Sequence, residues 1–221
     1  MEHSFWRDRW EAGAIGFHQG QPNAFLSAHH GLLAEHRRVF VPLAGKAVDM
    51  AYLAARDHEV VGVELVESAC RAFFREQGLP LVEEERPPFH AFAGGGITLL
   101  CGDVFDATPA RVGQVDAVYD RAALIALHPD DWQRYVDLLL SLVRPGGLLF
   151  IITFAYDQTK LAGPPWSVDD ATLNGLLAAP LADGRVRSVA KIDSRDEARG
   201  PRFVEAGVEA LTEALFVVTR A

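Results

Sequence analysis

The stretch RVFVPLAGKAVDMAYLAARDHEVVGVE, residues 38–64, decides the fold. Val39-Phe40-Val41-Pro42-Leu43 is a short apolar run that reads as a buried strand. Ala47 to Ala55 then sets apolar residues at helical spacing, and Glu59 to Glu64 reads as a second strand. Strand, turn at Gly45, helix and strand make the opening of an alternating α/β chain.

Outward from this unit the alternation continues. Val66 to Gln77 reads as the next helix, while Gly78 to Gly96, with Pro80, Pro87, Pro88 and three successive glycines, is expected to be loop or insertion. Ile97 to Cys101 and Val115 to Tyr119 are strands three and four, followed by an amphipathic helix from about Asp130 to Leu142. A Pro145-Gly146-Gly147 turn precedes Leu148 to Phe154, the most hydrophobic strand, and a helix near Val168 to Ala178 follows the Gly163-Pro164-Pro165 loop. Arg185 to Ile192 and Thr212 to Thr219 have no room for a helical crossover between them, so they are expected to pair as an antiparallel hairpin. The charged stretch Asp193 to Arg202 reads as a solvated loop.

The fold class expected is therefore α/β, a doubly wound, Rossmann-like sheet of seven strands, five parallel plus the C-terminal antiparallel hairpin. With 221 residues, 49% of them hydrophobic, one domain spanning residues 1–221 is the expectation. A ligand of such a sheet sits beyond the carboxyl ends of its strands.

Composition narrows the partner. A formal charge of -9 supplies no basic face for phosphate neutralisation, which speaks for a small molecule and against nucleic acid. Cys70 and Cys101, the only cysteines, form no CxxC, and the histidines show no metal spacing, so no disulfide framework or metal site is encoded. The N-terminus mixes charges with aromatics and lacks the apolar core of a secretion signal. No apolar run approaches the roughly 20 residues that span a bilayer. A cytoplasmic monomer away from membranes is the setting expected.

Four strand ends carry the chemistry. Gly45, after strand one, permits close approach of backbone to a ligand. The loop is neither GxGxxG nor a Walker loop, because Phe40 stands where the latter needs its first glycine. Glu64 ends strand two, nineteen residues after Gly45, where a carboxylate accepts from both hydroxyls of a ribose. Asp103 follows strand three in Cys101-Gly102-Asp103-Val104-Phe105, an acid for an adenine amino group with an apolar neighbour for its ring. Taken singly, Glu64 also reads as a helix-capping acid and Asp103 as a turn residue. Asp120 and Arg121 end strand four, either in the site or as a salt bridge bracing the strand. Trp6 and Trp10, four apart on a helix of about residues 4–12 that Ser4 is placed to cap, fit a lid or packing on the sheet.

The chain resembles the thiopurine S-methyltransferase family through Phe5-Trp6 and Trp10, Ile15-Gly16-Phe17-His18, Val41 to Lys46 with Asp49-Met50, Val61-Gly62-Val63-Glu64, Cys101-Gly102-Asp103, Tyr119 to Leu124, and Gly163-Pro164-Pro165. The resemblance implies an S-adenosylmethionine site built from Trp6, Trp10, Leu43, Gly45, Glu64, Asp103, Val104 and Arg121. It also implies Phe17 beside the methyl acceptor and Arg202 turned towards it. Where the family usually has Cys, Ala44 stands, so no mechanism here depends on a thiol at that position.

The activity implied is methyl transfer to a small-molecule thiol or thiopurine sulfur. An acidic thiol ionises near neutral pH, so Arg121 and Arg202 are expected to hold the anion, with Asp120 orienting Arg121 and no obligatory base. His18 is the alternative base, although a solvated histidine serves the same sequence. Halide, thiocyanate or selenium and tellurium anions suit the same pocket. An NAD-dependent oxidoreductase and a non-catalytic nucleotide-binding module are the more distant readings.

Overall fold

The computed structural model describes residues 3–16 and 18–221. The chain enters through α1 (His3–Glu11) and α2 (Ala24–His29). Ser4 lies within α1 rather than ahead of it, so it is not that helix's cap. Asn23 caps α2, its side chain accepting from Phe25 N at 2.8 Å, and Asp49 secures Asn23 by accepting from its backbone N–H at 2.7 Å. Next come β1 (Arg38–Val41), α3 (Val48–Ala54), β2 (Glu59–Glu64) and α4 (Glu67–Gln77), the unit that residues 38–77 imply. β1 and β2 run parallel, Arg38 opposite Glu59 and Val41 opposite Gly62. β2 is buried from Val60 to Glu64, as a parallel strand covered on both faces should be. Glycine at position 62 leaves room for the neighbouring strand, since a Cβ there would approach Leu99 Cδ2 to 2.6 Å and the leucine would have to shift.

Residues 78–96 depart from the expected loop. They fold as an antiparallel hairpin of β3 (Val82–Arg86) and β4 (Phe89–Gly94). The prolines and glycines mark its ends: Pro87 and Pro88 form the turn, and Gly95 and Gly96, both at positive φ, lead into β5 (Ile97–Cys101). Burial of Phe89, Ala91 and Phe92 holds β4. β3 is exposed throughout, and its run of charges suits an edge strand. β5 pairs antiparallel with β4 and parallel with β2. After α5 (Pro109–Val112) comes β6 (Val115–Arg121), giving this part of the chain the strand order β3-β4-β5-β2-β1-β6.

The chain groups into two compact units, one ending at Ala117 and one beginning at Val118, so β6 starts in the first and ends in the second. The second unit continues with α6 (Trp132–Leu142), β7 (Val143–Ala155), α7 (Asp170–Ala182), β8 (Val186–Asp196), α8 (Pro201–Glu205) and β9 (Thr212–Arg220). Pro145-Gly146-Gly147 belongs to the first part of β7, with Pro145 and Gly146 exposed, rather than to a turn before it. β9 pairs antiparallel with both β7 and β8, which realises the expected C-terminal pair in the order β6-β7-β9-β8. The expectation of seven strands is corrected to nine among the described residues, β3 and β4 being the addition. The stretch 193–202 is also not all loop, since β8 runs to Asp196 and α8 begins at Pro201. No helix among the described residues is long and apolar enough to cross a membrane.

Candidate cofactor and active site

Three strand ends of the first unit meet through hydrogen bonds. Beyond β1, Ala44 N donates to Val63 O at 2.9 Å, and beyond β5, Gly102 N donates to Glu64 O at 2.9 Å. The loop after β1 and the turn after β5 are thus both fastened to the end of β2. Leu43 and Gly45 lie at φ 45° and 54°. Gly45 adopts this region freely, whereas Leu43 carries strain of the kind that structures retain where a loop must take one shape.

Glu64 is the centre of this arrangement. It is 6% exposed, and its carboxylate accepts from Gly45 N at 2.7 Å and from Val66 N at 2.8 Å. Burial pushes its pKa up to about 7, against the pull of the Val66 and Gly45 amides. The Gly45 amide therefore points at Glu64. Each carboxylate oxygen keeps a second lone pair.

Asp103 caps the short turn Val104–Asp106, its Oδ1 accepting from Phe105 N at 2.8 Å. Its Oδ2 lies 3.1 Å from His3 Nε2, and Val104 beside it is buried. α1 reaches this site at both ends. Besides His3 on Asp103, the Trp10 indole lies against Gly45, where an added Cβ would stand 3.2 Å from Trp10 Cζ2. Trp6 is half-buried and meets Phe5 edge to face at 5.3 Å. Lys46 is drawn out of the loop by Glu76, with Nζ 2.8 Å from both carboxylate oxygens. A buried acid to accept from a diol, a second acid beside an apolar wall, and an indole over a bare glycine make a lining that fits a nucleoside. His3 was not among the residues that sequence singled out, and no local spacing marks it. The Phe17 expectation lies outside the described residues.

In the second unit, Asp120 is fully buried at the end of β6. Its Oδ1 accepts from Ala123 N at 3.1 Å and Leu124 N at 3.2 Å, and its Oδ2 accepts from the Tyr135 hydroxyl at 2.7 Å. Burial moves its pKa up to about 6, opposed by those three donors. Its hydrogen-bonding duty is thus to hold the turn after β6, and Tyr135 on α6 is the partner sequence reasoning missed. Arg121 is half-buried, and Ala122 after it sits at φ 64°, a second non-glycine in the left-handed region at a strand end. Arg202 on α8 donates from Nη1 to Pro164 O at 2.6 Å and from Nη2 to Ala162 O at 3.0 Å. The Gly163-Pro164-Pro165 loop is gripped again by the Tyr156 hydroxyl, which donates to Pro165 O at 2.5 Å.

Comparison with known proteins bears on this geometry. The family model described as thiopurine S-methyltransferase (TPMT) matches residues 1–221. Among curated relatives, the thiopurine S-methyltransferase of Nitrosospira multiformis is 40% identical over 220 residues, covering 99% of this chain and 98% of that protein. The Equus caballus protein of the same name is 38% identical over 222 residues, covering 97% and 88%. Among solved structures, the Burkholderia thailandensis 1,6-didemethyltoxoflavin-N1-methyltransferase with bound 1,6-didemethyltoxoflavin and S-adenosylhomocysteine superposes with a TM-score of 0.61 at 20% identity, over 99% of this chain and 86% of that one. TehB from Haemophilus influenzae gives 0.61 at 10% identity, over 92% and 64%. At those identities the two structures speak for the fold.

Proposed function

The chain belongs to the thiopurine S-methyltransferase family, and from that premise we propose that it transfers a methyl group from S-adenosylmethionine to a small-molecule thiol or thiopurine sulfur. The observation carrying this reading is the junction of Gly45, Glu64 and Asp103 at the ends of β1, β2 and β5, closed by Trp10 and His3 of α1. When bound, the cofactor supplies an electrophilic sulfonium methyl.

The residues have separate tasks. Glu64 accepts from the ribose hydroxyls, Asp103 from the adenine amino group, and Val104 packs on the ring. Leu43 and Gly45 shape the loop, and Trp6 and Trp10 exclude water. Arg121 holds the acceptor's negative charge, so that an ionised sulfur is oriented without a base taking its proton. Asp120, braced by Tyr135, fixes the turn that follows Arg121, and Arg202 acts by holding the 162–165 loop. A cytoplasmic monomer acting on a small molecule, not on nucleic acid, belongs to the same reading.

Calorimetry with S-adenosylmethionine, S-adenosylhomocysteine and NAD tests the cofactor assignment, which fails if neither sulfur nucleoside binds or NAD binds equally well. Labelled-methyl transfer across thiols, thiopurines, halides, thiocyanate and selenium and tellurium oxyanions tests the acceptor. Turnover confined to the inorganic anions would overturn the sulfur assignment. In the Arg121→Ala chain, kcat/KM should fall by roughly a hundredfold with the melting temperature held, the loss of one charged hydrogen-bonding partner.

A further inference from the structure

The first unit contains a cleft of about 390 Å³ lined by Arg38, Arg86 and Arg111 together with apolar side chains that include Val61, Phe89 and Leu100. It shares no residue with the cofactor candidates. Arg38 and Glu59 open β1 and β2 as a register pair, whereas Gly45 and Glu64 lie at or beyond the other ends of those strands. We propose that this cleft binds a small phosphomonoester with an apolar body, a ligand distinct from both reactants of the methyl transfer.

The concentration of guanidiniums is the first support. In a chain of net charge -9, three of them line one cleft whose lining holds a single carboxylate, Glu59. Glu84 and Asp106, outside the lining, pair with Arg86 and Arg111, so what the cleft offers an anion is hydrogen-bond donors.

Donor accounting is the second. A guanidinium has five N–H donors on three nitrogens. Arg38 donates from Nε to Glu59 at 2.8 Å and from Nη1 to Gln114 O at 3.1 Å. Arg86 uses Nε at 2.8 Å and Nη2 at 2.6 Å on the same Glu84 oxygen. Arg111 uses Nη1 on the backbone oxygen and carboxylate of Asp106, at 3.1 and 2.5 Å. Among the described residues this leaves Nη2 of Arg38, Nη1 of Arg86, and Nε and Nη2 of Arg111 without a protein acceptor. Each arginine is held by a neighbour and keeps a spare edge, the condition under which guanidinium recognises phosphate oxygens at small entropic cost. The seat of Arg38 is built in as well. Gly113 lies at φ +78°, and a Cβ there would stand 2.6 Å from Arg38 Nη1.

Size and lining set the rest of the ligand. A bare phosphate leaves most of about 390 Å³ unfilled, a volume in the range of organic-ligand sites. Val61, Phe89 and Leu100 offer apolar surface to a ring or short alkyl group.

Isothermal titration of the full chain with phenyl phosphate, inorganic phosphate and phenol, each with and without saturating S-adenosylhomocysteine, tests the assignment. The expected result is saturable binding of phenyl phosphate, about tenfold or more tighter than either fragment and unchanged by the nucleoside. Arg86→Ala and Arg111→Ala should each weaken it about tenfold, the loss of a charged hydrogen bond, with nucleoside affinity and melting temperature retained as evidence of folding. Absence of saturation, equal binding of inorganic phosphate, displacement by the nucleoside, or wild-type affinity in both folded variants would overturn it. Failure of the nucleoside to bind would count against the cofactor assignment, and the titration of the free chain would still decide this one.

Discussion

Replacing Glu64 with Gln separates its structural cost from its service to the cofactor. A buried carboxyl moved from an ordinary 4.5 to about 7 carries roughly 3 kcal/mol of penalty on its charged form. The folded chain therefore binds more protons than the unfolded chain between those values, and stability falls as pH rises through that window, reaching its full penalty above about 7. Gln removes the titration. It also turns an amide NH2 towards one of the two backbone donors, Gly45 N or Val66 N, an unmade buried hydrogen bond worth about 1–3 kcal/mol at any pH. Urea unfolding at about pH 5 should thus find Glu64→Gln less stable by about 1–3 kcal/mol, with near parity or a reversal at about pH 8. In the same variant S-adenosylhomocysteine affinity should drop about tenfold to a hundredfold, roughly 1.4–2.8 kcal/mol for the lost diol contact. A stability difference that ignores pH would refute the burial account. Undiminished nucleoside affinity would refute the ribose assignment, whatever the stability did.

Gly45→Ala puts a Cβ 3.2 Å from the Trp10 ring at φ +54°, so a cost of about 1–2 kcal/mol, a shifted indole fluorescence and weaker nucleoside binding should appear together. Tyr135→Phe removes the hydroxyl donated to Asp120 at 2.7 Å; unfolding should cost about 1–3 kcal/mol less, and kcat/KM should fall more than KM rises if the turn positions Arg121. His30 Nε2 lies 2.9 Å from His58 Nε2, and burial, then His58 and Arg56, hold His30 below its ordinary 6.5. The unfolded chain then takes up protons first as pH falls below 6.5, so stability is lost on acidification in that window, and denaturant titrations should find the loss reduced in His30→Phe.

The part of the fold that local pattern decides was legible, and the part that tertiary context decides was not. Residues 38–64 alternate as they do because parallel strands buried on both faces need unbroken apolar runs, and β2 occupies Glu59–Glu64 as read from those residues. The hairpin over 82–94 was hidden by its own boundaries. Turn residues dominate the composition of 78–96, and β3, with Glu83 to Glu85 in succession, lacks the apolar alternation that announces a strand. It forms because β4 offers an edge, and an edge strand with both faces in water needs no apolar face. Composition alone reads such a segment as loop.

The candidate site divides along the same line. Acids at strand ends are visible in sequence because a regular α/β chain fixes where its strands stop, and Glu64 and Asp103 fall at those stops. What the acids bind in the folded chain depends on backbone shape that residue type does not encode. Leu43 and Ala122 take left-handed conformations that neither side chain favours, and these settle where the loops after β1 and β6 lead. Contacts across long separations are hidden for a different reason. His3 and Asp103 stand a hundred residues apart, and Tyr135 and Asp120 are joined only once α6 packs. A single chain carries no trace of such pairs, since any solvated histidine or core tyrosine has the same letter. The buried Tyr135–Asp120 bond is the one whose loss should be felt in both stability and rate, because it leaves Asp120 Oδ2 buried without its donor while Oδ1 keeps the Ala123 and Leu124 amides. That coupling is where a structural reading of the β6 turn and a catalytic reading of Arg121 become one measurable quantity.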